Sequence, residues 1–506
     1  MSDASVAAAL RSAASLVVIE APGGCGKTHQ GAHYAADAAA SAQGRILILT
    51  HTHAACDVFA TKTKASRSKV EIRTIDSLIG QIAGQYHVPL DLPPDIAIWA
   101  RANKDGYDKV AAKVAHLLDK KPMIAKAVAR RYPLIICDEH QDSTHAQHQI
   151  ILGLHGAGAH LRVFADPMQR IFGSRRAAEI AAEVKRWTDL KEQADQFEEL
   201  DTPHRWADAN PDLGAWILEA RAALRDGGQI DLRGALPNGL RVIRADNVSR
   251  VRGQYQISPQ QRAPLTQHLK PLNSVLILAS QNPTVASLRP FFYRAMPIWE
   301  GHVRQALDEL CTAVRQHKGN AVEIGKAAVS FVGNVATGFS PTNYSNRLLQ
   351  EVQGGCVAQC TKKPATLQAL GRILLEEPDH RGIAAFLTSL RALTKADGAF
   401  TDIKIDHSRE YNDAIHLGRF EDADEGLAEI ARRRSHGRIA LPAKAISTIH
   451  KAKGLEFPNV VVAACDRAHF TNTPAARARF YVGISRGTQS LTLLVSHTNP
   501  TPLLMI

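Results

Sequence analysis

Short apolar runs recur along the chain at Leu16–Ile19, Ile46–Leu49, Leu134–Cys137, Leu161–Phe164, Leu240–Ile243, Val275–Leu278, Ala445–Ile449, Val460–Ala464 and Leu491–Val495. Helical patterns fill most of the gaps between them. Brief apolar runs of this kind suit strands buried on both faces, and their alternation with helices predicts an α/β protein with parallel sheets covered by helices. The spacing is uneven. The first four runs fall before residue 170, and three of the last four lie after residue 440. Between 293 and 440 the pattern is amphipathic and helical instead, at Val303–Val314, Asn346–Val352, Leu367–Leu375, Ile383–Leu393 and Gly426–Arg433. That stretch reads as a helical insertion in a second α/β unit, and a smaller basic helical segment, Ile98–Arg130, interrupts the first. The expected division is 1–200 for the first core, with a small insertion at about 85–130, then 201–292 with 441–506 for the second core, and 293–440 for the accessory insertion. No internal repeat or low-complexity tract appears, and Ala35–Ala42 is helix-forming sequence rather than a linker.

Composition narrows the picture only a little. A chain of 506 residues is too long for one hydrophobic core. Hydrophobic residues make up 45% and charged residues 22%, which describes an ordinary globular protein. No run approaches the ~18 apolar residues of a membrane span, and Met1–Ala14 shows no secretory signal. Seven cysteines in so long a chain suit a reducing cytoplasm, the expected location. Cys356 and Cys360 form the one close pair of interest, with no second Cys/His pair at metal-ligand spacing, so no zinc site is expected. The net charge of +12 favours a polyanionic partner, with local clusters at Lys62–Lys69 and Lys126–Arg131.

Chemistry enters at Ala21–Thr28, A-P-G-G-C-G-K-T, which lies between an apolar run and the helical stretch His29–Ala42. This is a phosphate-binding loop in strand–loop–helix context. Gly23, Gly24 and Gly26 let backbone N–H groups turn around a polyphosphate, Lys27 reaches β/γ oxygens, and Thr28 offers a hydroxyl to Mg2+. With Cys25 and His29 these residues form the expected nucleotide-binding set. Leu134–Asp142 reads L-I-I-C-D-E-H-Q-D. A buried strand here delivers Asp138, suited to hold magnesium, and Glu139, suited to deprotonate the water that attacks a γ-phosphate. Alone, such a pair is ordinary surface charge; downstream of a phosphate loop it reads as catalytic. Val163–Phe172 ends another strand in Asp166 and Gln169, and a glutamine there can report on the γ-phosphate.

Read in order, these segments resemble superfamily 1 helicases of the UvrD/Rep/PcrA type. Thr50-His51-Thr52-His53-Ala54-Ala55 resembles the family's T-x-T-x-x-A element, and Arg73-Thr74-Ile75-Asp76-Ser77 its next DNA-contacting element. Asp138–Asp142 matches D-E-x-Q-D, and Pro203-His204-Arg205 stands where N-Y-R is usual. Val275–Leu288 resembles the element that opens the second core. Thr448–Val460 matches T-x-H-x-x-K-G-L-E-F, and Phe480–Gly487 matches the final Y-V-x-x-[ST]-R. The resemblance implies two RecA-like P-loop NTPase cores with parallel sheets and helical accessory insertions. It also implies ATP and Mg2+ between the cores and single-stranded DNA as partner, with 3′ to 5′ movement. It assigns catalytic roles to Lys27, Glu139, Gln169, Arg205 and Arg486. His204 would face the base, Glu456 the ribose, and Thr28 with Asp138 the metal. Thr50, His51, Thr52, Thr74, Ser77, Phe172, Arg175, Thr448 and His450 would face DNA.

The chain departs from the family in places. Residues 1–20 lack the glutamine that reads adenine, Ser174 stands where a base-stacking tryptophan is usual, and His51 replaces a phenylalanine. Weaker stacking motivates a second reading, a nucleic-acid-sensing ATPase of a Gabija-type bacterial antiviral defence complex with a partner nuclease. A third is a nucleotide-switched DNA-binding module, against which the intact Glu139, Arg205 and Arg486 argue.

Overall fold

The computed structural model describes residues 2–103, 105–171, 177–245, 257, 259–292, 296–299, 305–436 and 442–506. The chain divides into two compact units, Met1–Tyr293 with Thr448–Ile506, and Arg294–Ser447.

The first unit begins with a six-stranded sheet. Its strands are β1 (Leu16–Glu20), β2 (Ile46–Thr50), β3 (Val70–Thr74), β4 (Leu134–Cys137), β5 (His160–Ala165) and β6 (Gln196–Glu199), in the spatial order β3-β2-β4-β5-β1-β6. Every pairing is parallel. β1 and β2 are buried along their whole length, as continuous apolar strands between helical layers must be. β3 and β6 have no counterpart among the apolar runs. They are the two edge strands, and their sequences V-E-I-R-T and Q-F-E-E suit half-buried edges.

Among the described residues ten helices belong to this part: α1 (Ser2–Arg11), α2 (Lys27–Ser41), α3 (His53–Lys62), α4 (Ile75–Gln85), α5 (Ile96–Ala102), α6 (Gly106–Lys120), α7 (Pro122–Arg131), α8 (His145–Gly156), α9 (Ala177–Gln193) and α10 (Pro211–Arg225). α5–α7 fill the basic segment expected to be helical. α6 buries Val110, Val114, Leu117 and Leu118 in one core with Ile79 and Ile82 of α4. α1 is held by Arg162 of β5, whose buried guanidinium donates to the carbonyls of Leu10, Ser12, Ala14 and Leu161 at 2.8–3.1 Å. Four charge-assisted bonds satisfy a cation that burial would otherwise penalise.

The chain continues through β7 (Ile230–Asp231), β8 (Leu240–Ala245), α11 (Pro259–Leu269), β9 (Val275–Ala279) and α12 (Asn282–Phe291). The second unit follows. It contains α13 (Gln305–His317), α14 (Ala321–Val335), β10 (Ala336–Thr337), α15 (Asn346–Gln353), α16 (Lys362–Glu376), α17 (His380–Ala396), β11 (Lys404–Ile405), α18 (Ser408–Leu417) and α19 (Ala423–His436). β12 (Lys444–Thr448) leads back to the first unit. The unit is helical around its own core, which includes Leu307, Ile324, Phe331, Leu370, Phe386 and Tyr411. All five amphipathic stretches expected there overlap observed helices, and α14 and α18 are additional.

Back in the first unit come β13 (Phe457–Cys465), α20 (Pro474–Ile484), β14 (Gly487–Ser496) and β15 (Leu504–Met505). β9, β13, β14 and β8 lie side by side in that order, all parallel. Segments about 180 residues apart in sequence thus complete one sheet. β15 pairs with β7.

Candidate functional site

The phosphate loop starts where β1 stops. Gly24 and Gly26 have φ of 91° and 84°, backbone space that L side chains rarely enter. Gly26 also precedes α2 without a side-chain cap. The first-turn N–H groups therefore face the loop, the arrangement that binds anions. A Cβ on any of the three glycines would meet side chains from outside the loop. At Gly23 it would lie 2.7 Å from the Gln169 amide and 3.4 Å from the Arg486 guanidinium. At Gly24 it would lie 2.6 Å from the Trp206 ring, and at Gly26 it would lie 3.1 Å from His204. Three segments far apart in sequence thus converge on the loop. Cys25 belongs to it through its backbone; its thiol is buried and raised to about 12 by that burial, with Asp166 adding to the effect.

β4 brings the acids. The Thr28 hydroxyl donates to Asp138 Oδ2 at 3.4 Å. Glu139 has φ of 56°, a strained value for a residue with a side chain. Its carboxylate pairs with Lys27 and accepts from the Gln141 amide. Burial pushes Glu139 upward, but Lys27 and then Lys453 outweigh it and hold the group at about 2. Burial lifts Asp138 to about 6, and Lys27 only partly offsets that. Burial pulls the Lys27 ammonium down, while Glu139 and Asp138 more than restore it, so it stays charged. Lys453, from the H-K-A-K-G-L-E-F segment, pairs with Asp142.

The remaining residues arrive from after β6 and from around β13 and α20. The Arg205 backbone N–H donates to the Gly24 carbonyl at 3.0 Å. Its guanidinium holds Glu456 at 2.7–2.8 Å and the Ser485 carbonyl at 2.8 Å. Arg486 is 1% exposed. It donates to the Val482 carbonyl (2.9 Å), the Ser485 hydroxyl (2.7 Å) and Gln169 Oε1 (3.5 Å). Burial, with Arg205 nearby, lowers its pKa to about 10. His204 Nε2 donates to Asp3 Oδ2 at 2.8 Å, and Gln30 donates to the other oxygen of Asp3 at 3.2 Å. His29 stands exposed on the first turn of α2, stacked on His33.

Other residues here carry no role in the sequence reading. The Gly23 N–H donates to both Asp166 Oδ2 (3.1 Å) and the Tyr481 hydroxyl oxygen (2.9 Å). Asp166 also accepts from Gln169 Nε2 at 2.9 Å and from Arg221 of α10, which bridges to Glu20 at 2.7 Å. Trp206, wholly buried, donates to the Gly487 carbonyl at 2.6 Å. Tyr481 and Trp206 lie within or beside the matched motifs and could have been read from them. Arg221 and Asp3 carry no sequence signal.

Residues expected to face DNA lie in other segments. Thr52 caps α3 and Thr74 caps α4, each accepting a backbone N–H at 3.2 Å, from Ala55 and Ser77. Thr50 donates to the Thr52 carbonyl at 3.0 Å. His51 shares a hydrogen bond with Ser143 at 3.1 Å. Thr448 accepts from the Lys451 N–H at 3.3 Å, and His450 donates to the Ile171 carbonyl at 3.2 Å. Phe172, Ser174 and Arg175 lie outside the described residues.

The site suits a magnesium nucleotide. The loop has no room for side chains at Gly23 and Gly24, a buried ammonium stands beside it, and the hydroxyl of Thr28 with the carboxylate of Asp138 forms a hard-oxygen pair. Among the described residues no three His, Cys, Asp or Glu side chains form a closed metal cage. A site shared between one or two protein oxygens and phosphates is what Mg2+ favours.

Residues 99–183 match the UvrD/REP helicase N-terminal domain, and residues 445–494 match the UvrD-like helicase C-terminal domain. Comparison with curated proteins gives no match.

Proposed function

The chain belongs to the UvrD-type superfamily 1 helicases, with RecA-like α/β cores, and on that premise we propose that it hydrolyses ATP to move along single-stranded DNA in the 3′ to 5′ direction. The observation that carries this reading is the meeting of Gln169, Arg205 and Arg486 at the phosphate-loop glycines.

In this reading Lys27 binds the β/γ oxygens, with Thr28 and Asp138 as the magnesium ligands. Bound Mg2+ neutralises phosphate charge. Glu139 orients the attacking water. As the water oxygen bonds to the γ-phosphorus, the β–γ bridging bond breaks and a water proton passes to Glu139. Lys27 and Glu139 form an ion pair. A triphosphate competes for the ammonium and so frees the base only when there is something to hydrolyse. Arg205 and Arg486 stabilise charge on the transferring oxygens, which is worth most in a buried site. His204 stacks on the base and Glu456 faces the ribose. The DNA-facing set is Thr50, His51, Thr52, Thr74, Ser77, Phe172, Arg175, Thr448 and His450.

ATP turnover measured with single-stranded DNA, RNA, duplex and no nucleic acid tests the reading, and strong stimulation by single-stranded DNA is expected. Glu139→Gln should keep nucleotide binding and lose at least a hundredfold in turnover, in line with the loss of a general base. Unchanged turnover removes Glu139 from that role. Ser174 and His51, at positions where the family stacks bases, favour a second reading: a nucleic-acid-sensing ATPase of an antiviral complex acting with a nuclease. Strand separation of a tailed duplex by the chain alone decides against it.

A further inference from the structure

Cys356 and Cys360, the close pair in the sequence, fall in the connection between α15 and α16 of the second unit. The chain turns sharply there. Gly355 and Cys356 have φ of 72° and 55°, so a residue with a side chain takes a left-handed position where glycine is usual after a helix. The Cys356 N–H donates to the Glu351 carbonyl at 2.9 Å, and its thiol donates to the same oxygen at 3.4 Å. The sulfur is thereby turned inward, against α16, where a Cβ on Gly371 would lie 3.0 Å from it.

Cys360 meets the other end of Glu351. Its thiol donates to the Glu351 carboxylate at 3.6 Å. Its sulfur accepts from the Arg347 guanidinium at 3.3 Å and from the Gln368 amide at 3.7 Å. Glu351 is buried and is itself held by Arg347 and by Gln368. The thiol proton therefore has an acceptor, and the sulfur has a cation and an amide beside it for the charge that remains. The thiolate is the reactive form of cysteine, and a neighbouring guanidinium favours it. Cys360 is half-buried, so a small reagent can reach it, whereas Cys356 is buried. Burial raises the Cys356 thiol, with Glu351 and Cys360 adding to the effect against Arg372, which puts the two sulfurs within electrostatic reach of each other. Among the described residues no three acids, histidines or thiols are arranged to hold a metal ion, so a shared cation does not account for the pair. Cys56 is half-buried as well, but its sulfur meets the Thr50 hydroxyl at 3.3 Å and burial raises its thiol.

We propose that Cys360 is an oxidation site for hydrogen peroxide and that Cys356 resolves the product into a reversible disulfide. In the first step the Cys360 sulfur bonds to one peroxide oxygen and the O–O bond breaks. The thiol proton leaves with the departing hydroxide as water, and Cys360 becomes a sulfenic acid. In the second step the Cys356 sulfur bonds to the Cys360 sulfur and the S–O bond breaks. The hydroxide leaves with the Cys356 proton as a second water. The pair of thiols has then given two electrons to the peroxide, and a dithiol returns them by exchange.

The test treats the full chain with a small molar excess of hydrogen peroxide and follows each thiol by alkylation and mass spectrometry. The parent should lose the Cys356 and Cys360 thiols together and ahead of Cys56, and dithiothreitol should restore both. Cys356→Ser should stop at a Cys360 sulfenic acid that dimedone traps. Cys360→Ser should leave Cys356 reduced. Arg347→Ala should slow the oxidation roughly tenfold, because the thiolate loses the cation that favours it. Melting temperatures close to the parent's establish that the variants fold, and the parent's own peptide map decides without them. A parent that keeps both thiols, or that oxidises Cys56 first, overturns the proposal. A sulfenic acid that persists in the parent beside a reduced Cys356 overturns the resolving role, and an Arg347→Ala protein oxidised at the parent's rate overturns the activation by Arg347.

Discussion

Glu139 and Gly24 show how much one backbone angle carries. Both have positive φ, at a cost that glycine avoids and glutamate does not. At Gly24 the space is also taken, by Trp206 and by the Arg205 Cβ at 2.9 Å. Gly24→Ala should therefore weaken ATP binding at least tenfold, read with a fluorescent nucleotide; parent-like affinity would show that the loop can yield. Lys27→Ala should abolish hydrolysis, and turnover near the parent's rate contradicts the phosphate-loop assignment. Glycines, lysine and acids of this kind are legible in sequence because their chemistry requires a fixed order on adjacent residues. Arg221 was not legible. It acts through Glu20 and Asp166, about 200 and 55 positions away, and nothing local marks a helix arginine that folding alone brings to such partners.

Among elements, β1, β2, β4 and β5 were plain in the sequence because strands buried on both faces must be apolar throughout. The edge strands β3 and β6 were not, since a strand with one neighbour tolerates charge. Trp206, in the turn before α10, binds the phosphate loop to the start of β14. Trp206→Ala should cost about 3–5 kcal/mol, the range for a large buried ring, measurable by urea unfolding; a loss below 1 kcal/mol would mean that the loop packs without it. A line of hydrogen bonds joins the end of β2 to α8: His51 to Ser143, Ser143 to His140 at 3.3 Å, and His140 to His148 at 3.0 Å. Burial holds His51 and His148 at about 4 in the folded chain, against about 6.5 when unfolded. The unfolded chain binds more protons between those values. The stability contributed by the neutral rings is thus complete above about pH 6.5 and lost as the pH falls toward 4. His148→Gln should flatten that loss, seen as a smaller shift in urea midpoint between pH 7.5 and pH 5. An equal shift in variant and parent would place the titration elsewhere.

For the whole molecule, the net charge of +12 directs expectation toward a strong salt dependence of strand binding. If about four phosphates are neutralised, log affinity should fall against log salt with a slope near −3, given ~0.7 counterions per phosphate on a single strand. A flat dependence would mean that base contacts dominate. No helix among the described residues is long and apolar enough to cross a membrane. One contact has a reach beyond its size. The Gly23 amide is held by Asp166, beside β5, and by Tyr481, on α20, at the same time. On the function proposed above, a terminal phosphate that claimed this amide would loosen a carboxylate and a phenol from elements about 300 residues apart in sequence. On the same proposal, both partners would return when the cleaved phosphate departed, and each round of hydrolysis would leave the latch as it found it.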